Sequence, residues 1–423
     1  MFKNSKNMAS SDLSDTLAIK LTRFFMRFTG FWIWDDKRGK ILMQMAMVYT
    51  IVATVFAWIV TATDLWFSRQ SFYQLAYAAC NSMTINIILL KLIVFLIHRE
   101  AFLNLIQFSY KNFWQRKYDT FGQSILQDCE SRCTYFVCTF TFFAQSTVCS
   151  YTIQPIIENY GKNETDRILP FNIYIDFPIT TTPFFEITFF VEIMSMYHSG
   201  ICYFCFDNLL CIMIVHATGQ FRILQKRFEM VYDSCENYEL TEQTNGLSKG
   251  SEKYSKSPET TGAQYNEFKA CVRYHQSLIR FTEMVEDVYT LVILSQVVIF
   301  SLLICLVSYQ AALAEGTLMR RIIFMVHTAG TLTQTFMFTL TCDDLKRESG
   351  AIAESAYHAQ WYCRLSSRER RTHCKDFIFV MMRARRPCCL TAGGFFPVSL
   401  ETFTTILSTS MSYLTLLRQG SMQ

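Results

Sequence analysis

Apolar residues gather in seven stretches, 41–62, 75–97, 134–157, 187–215, 288–314, 322–342 and 395–417, with polar connections between them. Each is long enough for the ~20 residues with which an α-helix crosses a bilayer core. The pattern predicts an all-α membrane protein with seven transmembrane helices and its two termini on opposite sides. Periodicity continues outside the stretches. Over 218–238 the apolar residues Phe221, Leu224, Phe228, Val231 and Tyr232 recur at helical spacing, so the fourth span is expected to continue as an amphipathic helix. Residues 241–263, rich in Ser, Thr, Gly and Lys, read as a disordered loop, after which helical spacing resumes at Tyr265 with Phe268, Val272, Leu278 and Phe281. Near the start, 15–31 sets Leu17, Leu21, Phe24, Phe25 and Phe28 opposite Lys20, Arg23 and Arg27, a helix suited to the inner interface.

Charge orients these spans. Lys and Arg number 8 in 1–40, 5 in 98–133, 9 in 216–286 and 10 in 343–387, or 32 of 39. The alternate connections hold only Arg69, Lys162, Arg167, Arg320, Arg321 and Arg418. Lys and Arg flanking a span resist translocation, so the amino terminus is expected in the cytoplasm and the carboxyl terminus outside. The chain then divides into a cytoplasmic amino-terminal segment (1–40), spans one to six (41–342), a cytoplasmic segment (343–394) and the last span (395–417), within one membrane domain. The first forty residues carry Asp12, Asp15, Asp35 and Asp36 and no short apolar core with a small-residue cleavage site, so the first span serves as the targeting signal.

Composition narrows the function classes. The chain is 51% hydrophobic and 17% charged, with 38 Phe and 21 Tyr, too apolar for an average soluble domain. A net charge of +4 spread over four connections suits lipid headgroups and not a nucleic acid. All sixteen cysteines lie in spans or cytoplasmic segments, which leaves no external disulfide framework. Cys363, His373, Cys374, Cys388 and Cys389 lack paired zinc-ligand spacing, and no cofactor or catalytic constellation emerges. In the loop 158–186, Asn163-Glu164-Thr165 is a glycosylation acceptor if external. Its prolines, at Leu169-Pro170-Phe171, Phe177-Pro178 and Pro183, favour a lid over the external face.

Ionisable residues inside spans mark candidate sites because charge in hydrocarbon is costly. Lys91 lies six residues before the cytoplasmic end of its span and is expected to snorkel to the inner headgroups. Glu192 lies deeper, either as a protonated structural hydrogen bond or as a cavity-lining group. Glu401, near the cytoplasmic start of the last span, would attract cations if that span lines a pore. The last span is rich in hydroxyls. Either they bond back to their own helix in a tightly packed interior, or they form a water-facing stripe. In the second case Thr405, Thr409, Ser412 and Leu416 share one face, and an apolar ring at Leu416 could gate by dewetting.

The carboxyl-terminal third resembles the insect odorant receptors. Glu348-Ser349, Ala356-Tyr357, Trp361-Tyr362, Arg383, Arg386-Pro387, Leu390-Thr391-Ala392-Gly393, Pro397-Val398-Ser399-Leu400, Phe403 and Ser412-Tyr413-Leu414-Thr415-Leu416-Leu417 follow that family's order and spacing. The resemblance is strong after Thr341 and looser before it, where the seven spans and Leu169-Pro170-Phe171 carry it. It implies an odorant-gated, nonselective cation channel of four subunits, in which this ligand-tuned chain pairs with the odorant receptor coreceptor in the plasma membrane of olfactory sensory neurons. It also implies a cytoplasmic anchor, made by the ends of spans four to six and a helix around 372–386, where subunits meet. The last spans would surround one pore, with Leu416 at the external gate and Gln419 at the mouth.

The family's odorant cavity lies in the outer half of the bundle among spans two, three, four and six. Mapped by depth, this implies Tyr73, Tyr77 and Asn81; Phe143, Ser146, Thr147, Ser150 and Tyr151; Phe189, Ile193, Met196 and Tyr197; and Met325 and Thr328. Such a mainly apolar cavity with a few hydroxyls suits a small volatile organic molecule. Gustatory receptors of the same superfamily end in Thr-Tyr, five residues, Gln-Phe, where this chain has Ser412-Tyr413, five residues, Gln419-Gly420. The coreceptor itself is similar only distantly, with a longer loop between spans four and five and a different ending. A G-protein-coupled chemoreceptor is the alternative from another class. The charge distribution opposes it, and Glu130-Ser131-Arg132 precedes span three instead of following it.

Overall fold

The computed structural model describes residues 16–32, 36–114, 118–174, 178–231, 258–312, 318–359 and 367–420. Its helices are α1 (Leu17–Phe28), α2 (Lys37–Phe67), α3 (Phe72–Ile97), α4 (Arg99–Ser109), α5 (Thr120–Glu158), α6 (Phe184–Met230), α7 (Pro258–Ala312), α8 (Leu318–His358), α9 (Ser367–Ala384) and α10 (Leu400–Gly420). Local chemistry starts several of them. The Ser71 hydroxyl accepts from the Gln74 amide to cap α3, and Asp119 accepts from the Gly122 amide at 2.9 Å to cap α5. Every one of the seven apolar stretches lies on a helix, apart from the first residues of the last stretch and 313–314, which fall outside the described residues.

Helices α2, α3, α5, α6 and the 264–311 portion of α7 are long and apolar enough to cross a membrane. The other two stretches sit on α8 and α10, where threonines, serines and the pair Arg320-Arg321 make the helices less apolar. Several helices outrun the bilayer. At 47 residues and 1.5 Å per residue, α6 is about 70 Å long, so its end projects beyond a membrane of ~40–45 Å. This is the expected extension, followed here to Met230; the rest of 218–238 lies largely outside the described residues. Likewise 241–257 lies outside them, but 258–263, read from sequence as loop, are already helical in α7. A helix already formed from 264 onward extends back over these residues at little further cost, whatever their Ser/Thr/Gly composition.

Helix α6 is the axis of the bundle, with 83% of its most apolar window buried, and α1, α2, α3, α5, α7 and α8 all pack on it. Helix α1 forms as expected and adds a contact with the bundle. It docks on α5 and α6 through Ala18, Ile19, Thr22 and Met26, with Phe25 edge-on to Phe204 at 4.8 Å. Leu17, Phe24 and Phe28 stay exposed on its outer side.

The last span also starts later than expected. Thr391–Ala392 and Phe396–Pro397 form a small antiparallel hairpin, with Thr391 opposite Pro397 and Ala392 opposite Phe396. Gly393 turns it at φ 62°, and a Cβ there would sit 2.7 Å from Leu294 Cδ2 of α7. Glycine meets the positive φ without strain, and any Cβ would in addition have to push the Leu294 side chain aside. Glu286 of α7 accepts from the Thr391 amide at 2.9 Å and from the Thr391 hydroxyl, and the Val398 amide donates to Leu390 O at 2.9 Å. Ser349 of α8 accepts from the Cys388 amide at 2.9 Å. The hairpin therefore fastens the start of α10 to α7 and α8.

Candidate functional site

A cavity of about 110 Å³ lies among α3, α5, α6 and α8, closed on one side by Phe171 of the 158–186 loop. Its walls are mainly apolar and aromatic, with Asn81, Thr84, Thr147, Ser199, His327, Thr331 and Gln334 contributing polar atoms. Glycine makes room for the close helix approach: a Cβ on Gly200 of α6 would meet Val148 Cγ2 of α5 at 2.8 Å. The expected lid is built from 168–172. Asn159 ties Ile168 through paired 2.7 Å bonds, Leu169 and Pro170 are buried, and the Phe171 ring lies against Tyr151 with centroids 6.2 Å apart. Phe177 lies outside the described residues.

Of the residues expected from depth alone, Asn81, Phe143, Thr147, Tyr151 and Met196 line this cavity. Tyr77 and Tyr151 line a second, more polar pocket of about 70 Å³ under the same loop, together with Asp64, Glu158 and Arg320. Tyr73 sits nearby, its hydroxyl accepting from Arg320 at 2.9 Å. Ser146, Ser150, Phe189, Ile193, Tyr197, Met325 and Thr328 line neither. Ser150 bonds back to Ser146 O at 2.7 Å, and Met325 faces outward at 50% exposure. Depth could not fix the helix rotation that separates these residues from Ser199, Tyr203, His327 and Gln334. Those four line the cavity and escaped the sequence reading.

Below the cavity lies a buried polar network. Lys91 does not snorkel: at 0% exposure, its ammonium lies 2.8 Å from Asp207 Oδ2 and donates to Tyr203 O at 3.1 Å. Gln296 of α7 donates to both Asp207 oxygens at 2.9 Å, and Gln334 of α8 donates to Asp207 as well. Burial of a paired, hydrogen-bonded charge replaces the path to the headgroups, because Asp207 stands within reach on α6. Asp207 was the missing residue in the sequence reading. A signal existed, since Lys91 is six residues and Asp207 eight residues from the cytoplasmic ends of their stretches, which sets opposite charges at like depth. Glu192 is buried too and accepts from the Phe171 amide at 3.3 Å, and it lines neither pocket. It bonds the backbone of the lid, which matches the hydrogen-bonding role and not the cavity-lining one.

Along α10, Glu401, Thr405, Thr409, Ser412, Leu416 and Gln419 are all exposed on the single chain, whereas Ile406 and Ser410 face the bundle. The Ser410 hydroxyl donates to Ser301 O of α7 at 2.8 Å. Thr405 and Ser412 bond back to Glu401 O and Ser408 O, each at 2.9 Å, so back-bonding and an outward stripe coexist. Within the single chain the helix packs along one side only. At one end of the bundle, α7 and α9 enclose a groove of about 780 Å³ lined by Tyr265, Phe268, Lys269, Arg273, Arg280 and Arg383, among others. Phe268 stacks on Phe377 at 4.2 Å, while Phe379 is 67% exposed. Asn163 is exposed in the outer loop.

Comparison with known proteins accords with this geometry. The family described as 7tm Odorant receptor matches residues 71–411. Odorant receptor 13a of Drosophila melanogaster is 25% identical over 307 residues, covering 68% of this chain and 68% of its own. Odorant receptor Or2 of Anopheles gambiae is 24% identical over 258 residues, covering 60% of this chain and 61% of its own. Among solved structures, the insect olfactory receptor OR5 from Machilis hrabei superposes with a TM-score of 0.77 at 15% identity, over 94% of this chain and 97% of that one. The same receptor in complex with eugenol superposes equally well, with a TM-score of 0.77.

Proposed function

Because the chain belongs to the 7tm odorant receptor family of insects, we propose that this seven-helix, multi-pass membrane receptor is the ligand-tuned subunit of an odorant-gated, nonselective cation channel. A small volatile organic molecule enters the cavity among α3, α5, α6 and α8, and the response is opening of a pore lined by α10. The observation that supports this reading best is the exposed stripe of Thr405, Thr409, Ser412 and Leu416 on a helix otherwise fastened to α7 and α8. A polar stripe left uncovered at the depth of a bilayer calls for water or another subunit against it. Four such helices around an axis would supply both. Leu416 then forms the apolar constriction, Gln419 lines the external mouth, and Glu401 concentrates cations at the inner end.

The partner is the odorant receptor coreceptor, in a four-subunit assembly in the plasma membrane of olfactory sensory neurons. Subunits meet at the groove between α7 and α9, where exposed Phe379 and Met382 lie beside Lys269, Arg273 and Arg383. Like the odorant receptors of its family, the chain is a receptor and not an enzyme. Whole-cell current, with and without the coreceptor and with G-protein signalling blocked, tests the reading while volatiles are applied. Odorant-evoked cation current that requires the coreceptor is the expected result. Current abolished by the G-protein block would overturn it.

A further inference from the structure

An ionised carboxylate offers about four acceptor sites, two on each oxygen. Asp207 fills them unevenly. Its Oδ2 faces the Lys91 ammonium at 2.8 Å, the Gln296 amide at 2.9 Å and the Gln334 amide. Among the described residues Oδ1 accepts only from Gln296, at 2.9 Å. One oxygen is crowded and the other has a site to spare, and all four side chains are buried.

The three donors are not equivalent. Removing Lys91 would strand a buried charge, and the Gln296 amide bonds only Asp207 among the described residues and lines neither pocket. Of the three, Gln334 alone lines the cavity, so its amide has an open space to turn into. When it turns, Asp207 keeps one donor for each oxygen and stays paired with Lys91. The carboxylate is also joined to the last helix. Gln296 precedes Ser301 on α7 by about 7.5 Å of helix, and the Ser301 carbonyl accepts the Ser410 hydroxyl of α10 at 2.8 Å. Packed helices move between discrete arrangements, so a regrouping of donors on one oxygen can be passed along them.

We propose that Asp207 is a two-state junction between the cavity and α10. Gln334 is the donor that detaches when the cavity is occupied, and Gln296 carries the reorientation of the carboxylate to α7 and through it to α10. Both glutamines are positioning residues, since they act on α10 through Asp207. The inference rests on the odorant-gated channel reading and names the link between its two ends.

The test reads α10 from a distance. Full-length receptor carrying Ser412→Cys is purified in lipid nanodiscs, alone and with the coreceptor. The rate at which N-ethylmaleimide modifies that position is followed by mass spectrometry of its peptide, which separates it from the sixteen native cysteines. Gln334→Leu is expected to change this rate roughly tenfold, the effect of one hydrogen bond to a charged group. Thr331→Leu, which fills the cavity one turn from Gln334, should move the rate in the same direction. In a Gln296→Leu background neither substitution should change it further, because the link to α7 is already cut. Gln334→Met, which keeps the side-chain length and loses the donor, replaces Gln334→Leu if the latter does not fold. Melting temperatures are measured alongside. A lower melting temperature with an unchanged rate would make Gln334 a structural residue only and overturn the proposal. So would a tenfold effect that persists in Gln296→Leu, because α8 would then reach α10 directly, where Phe336 lies edge-on to Phe403 with centroids 5.4 Å apart. A Thr331→Leu effect that is absent or opposite in direction would overturn it as well. The same variants are recorded for coreceptor-dependent leak current. The expected labelling pattern without current from any chain would support the junction and count against the channel reading.

Discussion

Removing the Asp207 carboxylate strands the Lys91 ammonium where no water reaches it. Breaking a buried ion pair from one side costs about 3–5 kcal/mol, whereas replacing both partners is often close to neutral. Asp207→Leu is therefore expected to reduce folded receptor at the cell surface sharply, and Lys91→Met combined with Asp207→Leu to recover much of it. Recovery stays incomplete because the Gln296 and Gln334 amides lose their acceptor. Surface labelling of the three variants reads this directly, and a double variant no better than Asp207→Leu would remove the pair from the account of stability. Residues at the cavity wall should behave otherwise. Tyr151 lines both pockets and bonds Asn81, while Tyr77 lines only the outer one, so Tyr151→Gln should shift odorant potency more than Tyr77→Gln and neither should alter permeation. Equal shifts from dose–response curves would count against the inner cavity as the odorant site. Tyr151 and Asn81 were legible from the family resemblance combined with depth in the spans. Their contact was not, because a sequence does not fix the rotation of one helix against another.

Among the elements, the hairpin before α10 does the positioning that the last span needs. Gly393 holds a left-handed backbone at φ 62° within 2.7 Å of Leu294 for any added Cβ, so Gly393→Ala combines backbone strain with a clash. The expected loss is about 1–3 kcal/mol, seen as a lower melting temperature of the solubilised receptor. No shift would mean that the turn relaxes freely. Leu416 lies at the other end of the same helix and is 62% exposed, with little packing to lose. Leu416→Ala should therefore change basal leak or gating with surface delivery intact, and recordings indistinguishable from wild type in both respects would take Leu416 out of the gate. The motif Leu390-Thr391-Ala392-Gly393 was visible in the sequence, but its form was not. A hairpin whose key bonds run to Glu286, about a hundred residues earlier, has no local signature.

Over the whole molecule, the exposed apolar residues Phe379 and Met382 on α9 sit beside a basic groove between α7 and α9, an arrangement that asks for a covering subunit. Phe379→Asp is expected to weaken co-assembly with the coreceptor while the isolated chain keeps its melting temperature, as measured by co-purification. Unimpaired co-purification would place the subunit contact elsewhere. The positions and order of the seven apolar stretches and the asymmetry of Lys and Arg were all written in the sequence, because span length and flanking charge act locally and each stretch reports its own tendency to enter a membrane. Tertiary packing alone settled the partner of Lys91, the docking of α1, the start of α10, and which faces of α3, α5, α6 and α8 enclose the cavity. The physical reason is that hydrophobic burial along a membrane helix is nearly indifferent to rotation about its axis. The angle is set by interlocking side chains and by a few long-range hydrogen bonds, which exist only once the helices have met.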